Sequence, residues 1–118
     1  MIKVYLKNVV LEDGVIINKD NSEVGIKAYG HSGFDKKGSD IVCSAISAII
    51  QTSILAVTKV ANIHQEIVQG DGILESSIHI GEAGRTNLFA LGVILNTMII
   101  GLKEIINHYP DALEIIFE

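Results

Sequence analysis

Across 118 residues the chain has no tryptophan, one proline, one cysteine and, in Arg85, one arginine. A single cysteine excludes an internal disulfide. One arginine among scattered lysines, with a formal net charge of −5, leaves no basic footprint for gripping phosphates, so nucleic-acid binding is not expected. No basic stretch followed by an apolar core and a small-residue cleavage site opens the sequence. With the lone thiol, that is read as a reducing, cytoplasmic setting. The most apolar runs, Ile41 to Val60 and Leu88 to Leu102, are interrupted by serines, Gln51, Asn96 and Thr97. They stop short of the roughly 20 apolar residues of a membrane span and are read as largely buried helices.

What is present is ample apolar material, 48% against 19% charged residues, enough for one globular domain over residues 1–118. Ile2, Val4 and Leu6 alternate with Lys3, Tyr5 and Lys7 as in a half-buried strand, and Glu12-Asp13-Gly14 supplies a turn, so a strand pair is expected to open the domain. Val15 to Asn18 and Glu23 to Tyr29 read as extended. A helix is expected over roughly 39–62, capped by Ser39 or Asp40, with Ser44, Ser47, Gln51, Thr58 and Asn62 as a polar stripe.

Ile63 to Gln69 and Ile73 to Ile80 flank Gly70-Asp71-Gly72, a hairpin signal. Alternation puts Ile63, Ile67, Leu74, Ile78 and Ile80 on one face and His64, Glu66, Glu75, Ser77 and His79 on the solvent face. A second long helix starts at Thr86 or Asn87 and is stopped by Pro110, and Ala112 to Phe117 closes the chain as a strand. The expected fold is α+β: one mixed or antiparallel sheet packed with two long helices, in the order ββαββαβ.

The chemistry concentrates between Gly30 and Ser47. Cys43 falls in the first turn of the expected helix, where outward-pointing amides favour a thiolate and offer donors to an oxyanion. His31 precedes it by a loop long enough to fold back and bring imidazole to sulfur, so a Cys/His dyad is available. A lone cysteine in an apolar segment is more often a small buried hydrophobe, and a loop histidine is as often a surface residue. The glycines shift that balance: Gly30, Gly33 and Gly38 permit close approach of a bound peptide or movement of a lid, with Ser32 in the same loop and Phe34 as an anchor or a substrate contact. Asp35 and Asp40 are both candidates to orient the imidazole, Asp40 being better placed as the helix cap. Ser47, one turn beyond Cys43, is a supporting residue. Four dispersed histidines offer neither a Cys-x-x-Cys pair nor two histidines at helical ligand spacing, so no metal site is expected. Gly81 to Arg85 lacks a phosphate-loop ending, so no cofactor is expected either.

Gly30-His31-Ser32 and Gly38-Ser39-Asp40-Ile41-Val42-Cys43-Ser44-Ala45-Ile46-Ser47 resemble the two signature motifs of the ribosomal-processing cysteine protease family, Prp. The resemblance implies His31 as base and Cys43 as nucleophile, with Asp40 and Ser47 in supporting positions. It further implies a cytosolic, homodimeric endopeptidase that removes the N-terminal extension of bacterial ribosomal protein L twenty-seven after a hydrophobic stretch ending in an aromatic residue. The segment from Val9 to Ser22 is longer than the simple hairpin associated with the family. A non-catalytic dimeric adaptor that binds a ribosomal protein, with Cys43 merely packed under the loop, is the alternative.

Overall fold

Strand alternation sets the architecture. In the computed structural model, which describes residues 1–30 and 40–118, β1 (Ile2–Lys7) buries Ile2, Val4 and Leu6 and turns Lys3 and Lys7 outward. Asn8 ends the strand: its backbone takes a left-handed conformation at φ 61°, which a short polar side chain tolerates better than a branched apolar one. The chain then leaves the sheet through β2 (Val10–Leu11) and β3 (Val15–Ile16). It returns as β4 (Glu23–Tyr29).

The Glu12-Asp13-Gly14 turn therefore joins β2 to β3 rather than pairing β1 with its successor. The partner of β1 is β4, antiparallel, with Leu6 opposite Ile26. Asn8 closes the excursion. Its Nδ2 donates to the carbonyls of Asn18 at 2.9 Å and Glu23 at 3.2 Å, and its Oδ1 accepts from the Asn18 amide at 3.2 Å and Asn21 Nδ2 at 3.1 Å. A side chain that satisfies four partners lets the chain leave the ladder and rejoin it without orphaned backbone groups.

The helix α1 (Ile41–Lys59) follows β4, then the hairpin of β5 (Gln65–Gly70) and β6 (Ile73–His79), the helix α2 (Arg85–His108) and β7 (Leu113–Phe117). The five long strands form a mixed sheet in the order β5-β6-β4-β1-β7, in which only β1 and β7 are parallel. The expected α+β layers and element order hold, with β2 and β3 as an added ribbon beside α2. Helix α2 begins one residue before Thr86, on the N-cap Gly84, and Pro110 follows its end at His108. Asn87 accepts from the Gly84 amide and donates to the carbonyl of Ala61, fastening the start of α2 to the end of α1.

Both helices lie on one face of the sheet, against the buried Val4, Leu6, Ile26 and Ile78, and contribute Ile46, Ile50, Leu91, Leu95 and Leu102 to the core. They approach closely where Gly101 faces Ile49: a methyl added at 101 would lie 3.3 Å from Ile49 Cδ1. Gln65 ties the hairpin to α1, donating through Nε2 to the Ile54 carbonyl at 2.7 Å and to Thr58 Oγ1 at 2.9 Å while accepting from the buried Ser76 hydroxyl. Ile67, expected on the core face, is on that face but 47% exposed, because β5 is the sheet edge.

The expectation for the helices needs correction. By length and composition both are apolar enough to cross a membrane, and neither is largely buried. Each inserts one stripe into the core, Val42, Ile46, Ile50, Ile54 and Val57 on α1, and leaves an apolar outer face. A two-layer fold supplies a partner for only one side of each helix.

Candidate active site

Asp40 is the N-cap of α1, in extended conformation, and its Oδ1 accepts from the Cys43 amide at 2.9 Å. The Asp40 carbonyl accepts from the Ser44 amide and hydroxyl, both at 3.1 Å. Asp40 is only 5% exposed, and as the cap it fixes the first turn and, with it, the direction of the Cys43 side chain. The Cys43 amide is committed to the cap, and Ile41 and Val42 are the residues that precede it in the first turn.

Cys43 is neither entombed nor fully exposed. It opens onto a groove of about 160 Å³ between α1, the end of β4 and the turn of the β5–β6 hairpin. The walls are chiefly apolar: Ile2, Ala28, Ile46, Ile50, Ile73 and Leu74. Ser47 and Gln51 form the polar strip along α1, with Gln51 Nε2 donating to Ser47 Oγ at 2.7 Å. Ser47 and Cys43 line the same groove, one helical turn apart. The hairpin wall, with Gln69, Gly72, Ile73 and Leu74, was not anticipated as part of the site; the Gly-Asp-Gly turn marked the hairpin but not which helix end it would face.

Gly30 lines the same groove, and its backbone explains why glycine stands there. Its φ is +96°, and a Cβ would lie 2.7 Å from the carbonyl oxygen of Met1. Its amide donates to the Gly72 carbonyl at 2.9 Å. The end of β4 is therefore locked between the N-terminal residue and the hairpin turn. On the open face of the sheet beside it, Tyr29 donates to the Glu75 carboxylate and meets Tyr5 edge-on at 5.9 Å. The hydrogen bond to Glu75, then desolvation and the Glu75 charge, raise the phenol above its ordinary range, so Tyr29 stays a protonated donor at neutral pH.

His31, Ser32, Gly33, Phe34 and Gly38, expected as base and substrate loop, lie outside the described residues, as does Asp35. Of the expected site residues the structure brings together Gly30, Asp40, Cys43 and Ser47 around one groove.

The fold is shared with solved structures over the whole chain. The ribosomal processing protease Prp from Staphylococcus aureus, described as essential and bound to a covalently linked product peptide, superposes with a TM-score of 0.72 at 26% identity, all of both chains being covered. The same protease with a substrate peptide gives 0.65 at 24% identity, again over all of both chains. SMU.848 from Streptococcus mutans gives 0.64 at 17% identity, covering 99% of this chain and 93% of its own. No curated protein matches the sequence. The family model for cysteine protease Prp matches residues 13–114, and with the only cysteine at a capped helix start on an open groove, the chain belongs to the Prp family of cysteine proteases involved in ribosomal protein processing.

Proposed function

We propose that this chain is a cytoplasmic endopeptidase that removes the N-terminal extension of ribosomal protein L twenty-seven, with Cys43 as nucleophile and His31 as its base. The observation that carries the reading is the position of Cys43: in the first turn of α1, half-buried, and lining a chiefly apolar groove. Gly30 lines that groove, and His31, the proposed base, follows it directly in the sequence. The relative from Staphylococcus aureus holds a product peptide covalently, as an acyl-transfer site does.

The steps follow from the groups. The Cys43 thiolate forms a bond to the scissile carbonyl carbon while the π pair moves to oxygen, and the oxyanion is held by amides near the helix start and loop. Collapse breaks the C–N bond, and the leaving amine takes its proton from the His31 imidazolium. Water then attacks the thioester, giving its proton to His31, and Cys43 departs as thiolate with release of the new carboxylate. The apolar walls at Ile2, Ile46, Ile50 and Leu74 suit a hydrophobic residue before the cut, since burying such a side chain contributes about 1.5–3 kcal/mol.

Alkylation tests the dyad directly. Iodoacetamide at neutral pH modifies Cys43 rapidly, and His31→Ala slows the reaction by about tenfold or more as the thiolate loses its partner. An inert thiol, or a rate that His31→Ala leaves unchanged, removes the dyad and points to an adaptor instead.

The reading includes a homodimer. Ile41 and Leu55 on α1 and Phe89, Val93 and Ile100 on α2 are each at least half exposed, and a second copy covers such outer faces at no cost in unpaired polar groups. Sedimentation equilibrium at tens of micromolar is expected to give twice the 12.7 kDa of one chain; a single-chain mass throughout refutes it.

A further inference from the structure

We propose a second, structural site on this protein: a transition-metal site, of zinc type, formed by His64, Glu66 and His79 at the open edge of the sheet. No two histidines stand at helical ligand spacing, but the ladder provides a cross-strand pair. Gln65 pairs with Ile78, and the next rung continues the register, with the His79 amide donating to the His64 carbonyl at 3.0 Å. His64 and His79 are thereby placed opposite each other, and strand alternation puts Glu66 on the same face as His64.

The side chains converge as the backbone requires. The two imidazoles stack with centroids 5.3 Å apart and 16° between planes. Glu66 Oε1 is 3.0 Å from His79 Nε2. One ligand atom from each of the three residues lies within 4.8 Å of the others. Around a tetrahedral ion with bonds of about 2.0–2.2 Å, ligand atoms stand roughly 3.3 Å apart, so small rotations of these three exposed side chains close the set. Two imidazoles and one carboxylate, with a fourth position left to water, are a zinc-type donor set.

The register accounts for the placement of these residues but not for their chemistry. Glu66 and His79 side chains are 72% and 41% exposed, and an exposed ion pair contributes little to stability. Stacking two imidazoles that repel when both are protonated is of no use to the sheet on its own; neutral rings facing one cation, beside a carboxylate in a chain of net charge −5, are mutually compatible. His64 and His79 line a neighbouring concavity of mixed character that also carries Ser22, Asn62, Glu82 and Asn87 and has room for the water ligand. The cluster is at the far end of β6 from the groove, six residue steps or roughly 20 Å away. Its role is to clasp the edge strand β5 to β6, independent of the chemistry at Cys43.

Zinc chloride is titrated into Cys43→Ala, which removes the competing thiolate, while the histidine Cε1 proton resonances are followed by NMR at pH 7.5. Two of the four histidines, assigned by substitution to His64 and His79, are expected to shift or broaden together, completing near one equivalent at roughly 0.1 mM protein. His64→Ala and His79→Ala each weaken binding about tenfold or more, and Glu66→Gln does so to a smaller degree, with the circular dichroism of all three unchanged. The site is refuted if His64 and His79 do not respond at a tenfold excess of zinc. It is equally refuted if only His31 or His108 responds, or if the alanine variants bind zinc as the parent does.

Discussion

Cys43→Ala is expected to abolish cleavage of a peptide spanning the extension junction, a fall of about a thousandfold or more in kcat/KM. The sulfur is the only thiol in the chain, and Ser47, which lines the same groove and accepts from Gln51 Nε2, offers only a hydroxyl that is not ionised at neutral pH. Without covalent catalysis, the remaining amides and apolar walls position a peptide but do not cleave it. Stability changes little, because Cys43 is only partly buried and its amide continues to serve the Asp40 cap. That separation makes the experiment clean: circular dichroism and Tm stay near the wild type while turnover disappears. Cys43→Ser keeps the shape but offers a hydroxyl that is not ionised at neutral pH, and it retains peptide binding without turnover. Equal cutting by wild type and Cys43→Ala overturns the proposed function.

Gly30→Ala is expected to lower both stability and turnover. At φ +96° an alanine is strained, and its methyl meets the backbone oxygen of Met1 at 2.7 Å, an obstacle that no side-chain rotation removes. The cost is about 1–3 kcal/mol, a fall of several degrees in Tm for a domain of this size. To relieve the contact, the end of β4 must move away from the N-terminus and from Gly72, whose carbonyl holds the Gly30 amide. Gly30 and Gly72 both line the groove, and the proposed base, His31, follows Gly30 in the sequence; misplacement of a reacting group by about 1 Å costs about a hundredfold in rate. Gly81→Ala is the control, since its added methyl meets nothing within 4 Å and should leave Tm and cleavage unchanged. A Gly30→Ala protein with wild-type Tm and rate shows that the locked strand end does not position the site.

The helices show how sequence and structure divide the information. Their apolar steps and the signals around them located α1 and α2 within a few residues, since periodicity is a local property. The same residues left open which face would be covered. The outer positions Ile41, Leu55, Phe89, Val93 and Ile100 have the composition of core and the placement of surface, and only the layer count distinguishes the two. The opening strands are similar: alternation identified β1, but its pairing with β4 instead of its nearest successor depends on the four hydrogen bonds gathered by Asn8. A contact among residues 8, 18, 21 and 23 leaves no periodic trace.

The chemistry divides along the same line. By itself the sequence determined the family and the helix cap beside Cys43, the proposed nucleophile, because Asp40 and Cys43 are three residues apart and a helix start brings such neighbours together. Tertiary structure alone decided that the β5–β6 turn forms the opposite wall of the groove and that His64 and His79 meet across a ladder. These are contacts between segments far apart in the chain, set by sheet register and by which face of each helix the core could accept.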